Sequence, residues 1–170
     1  MQQQAETRGD GAAFGFLTAV ESPTHGLFGG YLVVDALGRP LEVHCTAPVK
    51  VTRAQQILYG PTLHGHLHGQ QIGGALLAES AVTPAIVLTD HDAMLHVRPH
   101  TKLPVALVGP LDAESTTTSF TVGTARVSPH PNDVADGQLL RERLVELAAA
   151  VDLREPFERI RAALDEAQRH

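Results

Sequence analysis

Six of the ten histidines in this chain fall between Leu63 and His100, and two aspartates, Asp90 and Asp92, flank one of them. Imidazoles and carboxylates together are ligands for borderline cations, and three protein ligands with one open position describe a catalytic zinc, which brings bound water to a pKa of about 7. If residues 62–69 are extended, His64, His66 and His68 project from one face about 7 Å apart. If they are helical, His64 and His68 lie one turn apart on the same side. Either geometry supplies two imidazoles. His91, with Asp90 or Asp92 beside it, supplies the third ligand and an orienting carboxylate from the loop after a buried strand, where α/β folds tend to place function. The metal-ligand set is therefore His64, His66, His68, Asp90 and His91, with zinc as the metal.

The spacing completes no known catalytic motif. His64-Gly65-His66-Leu67-His68 has no glutamate where His-Glu-x-x-His carries its base. It looks like the first metal motif of metallo-β-lactamase-type hydrolases, but Gly69-Gln70 stand where that motif needs Asp-His. A cupin would need a glutamate after the histidines, and a zinc deaminase would need paired cysteines, whereas Cys45 is alone. Ile72-Gly73-Gly74-Ala75 lacks the spacing and the lysine of a P-loop; neither Gly-x-Gly-x-x-Gly after a strand nor Gly-x-Ser-x-Gly occurs. His44 and Cys45 read as base and thiol only until strand alternation sends them to opposite faces, with the thiol expected to be buried. Glu79, Asp112 and Glu114 are expected to be solvated. No catalytic or cofactor-binding residue follows from the pattern, and no cofactor is expected outside the zinc alternative.

Elements must position these groups, and composition bounds what those elements can be. At 170 residues, 43% hydrophobic and 19% charged, the chain is long enough for one globular domain, expected over residues 13–170 behind a flexible tail of residues 1–12. With no Trp, two Tyr and five Phe, the core must be mostly aliphatic. A formal charge of −6 argues against nucleic acid, since Arg39, Lys50 and Arg53 are the nearest thing to a basic patch and Glu42 dilutes them. A single cysteine excludes a disulfide framework within the chain. No apolar run reaches the roughly 20 residues of a membrane helix, and the first residues lack a secretory pattern, so the expected compartment is the cytoplasm.

Phe14 to Glu21 reads as a first strand. Gly30 to Asp35 and Leu41 to Thr46, joined through Gly38 and Pro40, read as an antiparallel hairpin. Thr52 and Gln55 have capping-box spacing for a short helix ending at Gly60-Pro61. A second helix to about Ser80 would hold Gly65, Gly69, Gly73 and Gly74, each costing up to about 1 kcal/mol against alanine. Either it packs very closely on a neighbour or its first half is not helical. Pro84 to Thr89 is a strand buried on both faces, Asp90 is expected to cap a short helix over 91–97, and Leu103 to Val108 returns as a strand. Thr116 to Val127 is expected as one edge strand. Leu140, Leu144, Leu147 and Val151, then Leu153, Phe157, Ile160 and Leu164, define a C-terminal helical pair over about 134–168, the second helix opening on a capping box from Asp152.

The expected fold is α+β: a five- or six-stranded mixed sheet beginning with an antiparallel hairpin, inner helices near 53–80 and a C-terminal helical pair. The incomplete catalytic set and the charged outer faces of the helices favour a non-catalytic cytoplasmic interaction or assembly subunit, its partner another protein subunit or a second copy. The alternative is a small zinc-dependent hydrolase or metal-binding protein using the cluster from His64 to His91.

Overall fold

The computed structural model describes residues 11–114 and 116–169. Of the expected N-terminal tail, residues 1–10 lie outside the described residues, and Ala12 already packs against the core.

Strand β1 (Ala13–Ser22) turns at Pro23-Thr24-His25 into β2 (Gly26–Asp35), the two fully paired in antiparallel register. Gly26, at φ 101°, supplies the left-handed backbone with which β2 opens. A second turn at Gly38 leads to β3 (Pro40–Cys45), antiparallel to β2. The chain then crosses back over β1 through helical segments and enters β4 (Val87–Thr89), parallel to β1, and β5 (Val105–Pro110), parallel to β4. The short connection between β4 and β5 is a crossover to a parallel neighbour. Strands β6 (Phe120–Val122) and β7 (Ala125–Pro129) complete a sheet of order β3-β2-β1-β4-β5-β7-β6.

The α+β class holds, but the sheet has seven strands rather than five or six. Thr116 to Val127, read as one edge strand, folds back on itself because Gly123 adopts φ 59° and closes a tight hairpin turn, pairing Val122 with Ala125.

One face of the sheet carries Phe14, Phe16, Phe28, Leu32, Leu88 and Val108, covered by α3 (Gly137–Ala148) and α4 (Glu155–Gln168). The helical periodicities put Leu140, Leu144, Leu147, Phe157, Ile160 and Leu164 inward as expected, and Phe157 meets Phe16 edge to face at 5.2 Å. The expected capping box at Asp152 does not form: Asp152 Oδ1 accepts the Arg154 N–H, and Arg154 holds the cap position with no side-chain bond. Asp165 and Arg169 pair at 3.0 Å, one turn apart.

The opposite face carries Leu17, Tyr31, Val33 and Val87 beneath a helical layer of a different kind. Helix α1 (Arg53–Tyr59) has the expected Thr52–Gln55 capping box and stops at Gly60, but contributes no buried side chain, so only the later part of the 53–80 stretch is an inner helix. That part is a π-helix (Gly65–Gly74) continuing into α2 (Ala75–Glu79). Gly69 and Gly73 lie directly against His96 and Val97 of a 3-10 segment (Asp92–His100): a Cβ at Gly69 would fall on the backbone carbonyl of His96. Of the two outcomes open to the glycine-rich stretch, close helix packing is the one realised.

Candidate functional site

From β1 the chain builds β2 and β3 on one side and β4 and β5 on the other, so the carboxyl ends of the parallel strands β1, β4 and β5 lie together. Here that end presents Thr18 and Glu21 from β1 and Thr89, Asp90 and His91 from the end of β4.

Alternation along β4 continues past its end and separates Asp90 from His91. Asp90 turns to the face of α3 and α4, where Oδ1 accepts from the buried Thr18 hydroxyl at 2.7 Å and Oδ2 pairs with Arg161 of α4. Both oxygens are taken, and the carboxylate joins β1, β4 and α4. His91 turns to the π-helix face. Its N–H donates to Thr89 Oγ1 at 3.1 Å, and its Nδ1 accepts the Ala93 N–H at 3.3 Å, so that His91 caps the 3-10 segment in place of the expected Asp90. An Nδ1 that accepts leaves the ring proton on Nε2.

His91 is the end of a row of three imidazoles. Its ring centroid lies 5.2 Å from that of His68, and His68 lies 5.5 Å from His64. His68 is buried, and its Nδ1–H donates to the His64 carbonyl at 3.2 Å, leaving Nε2 as an acceptor. Burial is the main reason its pKa falls below the ordinary histidine value, and the neighbouring imidazoles of His91 and His64 add to the effect. His66, two residues from each of the others in the helix, points elsewhere: it stacks on Tyr59 at 4.3 Å and accepts from the Gln71 amide at 2.8 Å. The helix thus brings His64, His68 and His91 together and leaves His66 and Asp90 out. Among the described residues, no group of three or more His, Cys, Asp or Glu side chains is placed to hold a metal ion.

Two clefts flank this end of the sheet. One, of about 750 Å³, lies between the β1–β2 turn, the Val49–Val51 stretch and the helical layer, with Glu21, Lys50, His64 and His68 on its walls. The other, of about 670 Å³, is bounded by Asp90, Asp92, Arg154, Glu158 and Arg161.

At the far side of the sheet, β3 inverts an expectation. Alternation holds, but the apolar side faces outward: Leu41, Val43 and Cys45 are exposed, while Glu42 and His44 are half-buried on the π-helix face. The reason is Glu42, whose carboxylate accepts from Ser80 Oγ at 2.6 Å and from the N–H groups of Ala81 and Val82 at 2.9 and 3.1 Å. The Ser80 hydroxyl is the largest contributor holding this carboxyl below its ordinary pKa. The Cys45 thiol, desolvated by neighbouring chain although exposed, is pushed up, the opposite of an activated nucleophile.

A buried ion pair has no signature in the sequence. Asp133, fully enclosed, accepts from Arg98 Nε at 2.9 Å and from the Val105 N–H at 2.9 Å, tying the 3-10 segment to β5. The 35 residues between the partners carry no local spacing rule that would have found it.

No protein-family model matches the chain, and no curated protein matches it.

Proposed function

We propose that the chain is a non-catalytic cytoplasmic interaction or assembly subunit. The observation that supports this best is helix α1. It is capped at both ends, yet Ile57 and Leu58 stand 66% and 82% exposed and the helix buries nothing of its own. A seven-residue helix in water is far below the length at which propensity sustains it, so an apolar side presented to solvent at this position is best explained by a partner that covers it. Leu41 and Val43 on the free edge of the sheet extend the same argument. The test is native co-purification of wild type and an Ile57→Asp, Leu58→Asp double variant. A stoichiometric companion, whether foreign or a second copy, is expected with wild type and lost in the variant; a wild-type chain that runs alone, also after cross-linking in extract, overturns the reading.

A second reading, a small zinc-dependent hydrolase or metal-binding protein, draws on the row of His64, His68 and His91 beside the larger cleft. His68 has Nε2 free in its present hydrogen bonding and, among the described residues, the His64 ring is engaged by no hydrogen bond, but His91 would have to surrender its cap to Ala93 to offer a lone pair on Nε2. Elemental analysis of untagged protein decides it: less than about a tenth of a metal per chain ends that reading.

A further inference from the structure

We infer that the larger cleft, beside His68, is a binding site for a small aliphatic amino acid, its ammonium held between the Glu21 carboxylate and His68 Nε2 and its carboxylate by Lys50. The inference goes beyond the interaction reading and does not depend on it.

Strand phase puts Glu21 in place. Leu17 and Ala19 of β1 belong to the core under the π-helix, and alternation sends Glu21 to the same side, where the row leaves the covered part of the sheet. Glu21 pairs with Leu27 of β2, and Leu27 bridges to Val49, so the three side chains stand in one row across the strands. Leu27 and Val49 give the row an apolar floor, and Leu63 and Leu67 of the helical layer close it from above. The resulting cleft of about 750 Å³, with Lys50 on its wall, has the size and the mixed lining of a small-molecule site.

His68 supplies the directional contact. It lines this cleft although only 5% of it is exposed. A carbonyl can only accept, so the bond to His64 O fixes the ring proton on Nδ1 and leaves a lone pair on Nε2. Among the described residues, Tyr31 Oη alone is a buried side-chain atom without a hydrogen-bond partner; His68 Nε2, which also has none, is therefore open to the cleft. Glu21 stands close enough for its charge to act on the His68 ring, and it makes no ion pair among the described residues.

Two acceptors facing one space, with no donor of the chain between them, suit a cation rich in N–H groups, and a primary ammonium can donate to both. Lys50, also without an ion pair among the described residues, narrows the choice. It repels a simple amine, as Glu21 repels a simple carboxylic acid, whereas a zwitterion satisfies both charges. The leucines and Val49 then take an aliphatic side chain.

Titration calorimetry of the full chain with leucine, 3-methylbutylamine and 4-methylpentanoate tests this, the second lacking the carboxylate of the first and the third its ammonium. Leucine is expected to bind with a dissociation constant below about 1 mM, and each analogue about tenfold or more weaker. Glu21→Gln and Lys50→Met, both at exposed positions, should each weaken leucine about tenfold at unchanged melting temperature. Lys50→Met should also erase the preference for leucine over the amine. In imidazole-nitrogen NMR of wild type, leucine should move the Nε2 resonance of His68 and leave that of His130, outside the cleft, in place. No binding of leucine up to about 10 mM, equal affinity for all three compounds, indifference to Glu21→Gln, or an unmoved His68 resonance overturns the inference. None of these outcomes touches the interaction reading, which stands or falls on co-purification.

Discussion

On one face of the sheet, α3 and α4 drive Leu144, Leu147, Phe157 and Ile160 down among the strand side chains; on the other, a π-helix brings Gly69 against the backbone of the 3-10 segment and Gly73 against its Val97 side chain. The first face is held by apolar volume, the second by close approach. The difference accounts for where the polar chemistry sits. A layer that packs through glycines leaves its long side chains at the rim, so His64, His68 and His91 gather at the strand ends of that face, whereas the charges on α3 and α4 look outward or, like Arg161, pin a single carboxylate.

The comparison can be broken at several strengths. Phe157→Ala should cost about 3–5 kcal/mol in denaturant unfolding, because it removes an aromatic side chain enclosed by both helix and sheet. Gly69→Ala should cost about 1–3 kcal/mol, since the new methyl meets a backbone carbonyl that cannot swing aside. Gly137→Ala, at the start of α3 with open space around its Cβ, should stabilise by about 0.4–1 kcal/mol. Opposite signs for the two glycines would sharpen the contrast; equal signs would refute it.

Acidity probes the glycine-packed face more gently. His68 titrates below its ordinary value because it is buried, as does His130 at the end of β7, so in the unfolded chain these groups take up protons first. Their contribution is complete above about pH 6.5 and is lost as pH falls below it. Melting temperature should decline from about pH 7 to about pH 5, and His68→Asn should flatten that slope; an unchanged slope would remove His68 from the account. The smallest effect belongs to Leu58→Asp, which should alter stability by no more than about 0.5 kcal/mol while weakening partner capture.

Legibility followed the same division. The C-terminal pair could be read because Leu140, Leu144 and Leu147 repeat at helical spacing and bury by volume; the Thr52–Gln55 box and the β2–β3 hairpin were equally local. The glycine face resists because close packing leaves no hydrophobic period: the stretch admits either a closely packed helix or one whose first half is not helical, and only tertiary contact with His96 and Val97 decides between them. The histidine set was half legible. Helical spacing allowed His64 with His68, and His91 joins them, but whether Asp90 or His91 faced the helix depended on the phase of β4. The outward turn of Cys45 was hidden for a similar reason, since the β3 phase is set by Glu42 gripping residues nearly forty positions away.

That grip has a consequence for motion. Ala81 and Val82 have amides protected by a side-chain carboxylate rather than by a ladder, so their hydrogen exchange should accelerate once Glu42 is protonated, at acidities that leave ladder amides protected. Conversely, β3 cannot fray alone: releasing the edge of the sheet also frees the end of the helical crossover. The outermost strand and the segment leading into β4 should open as one cooperative unit.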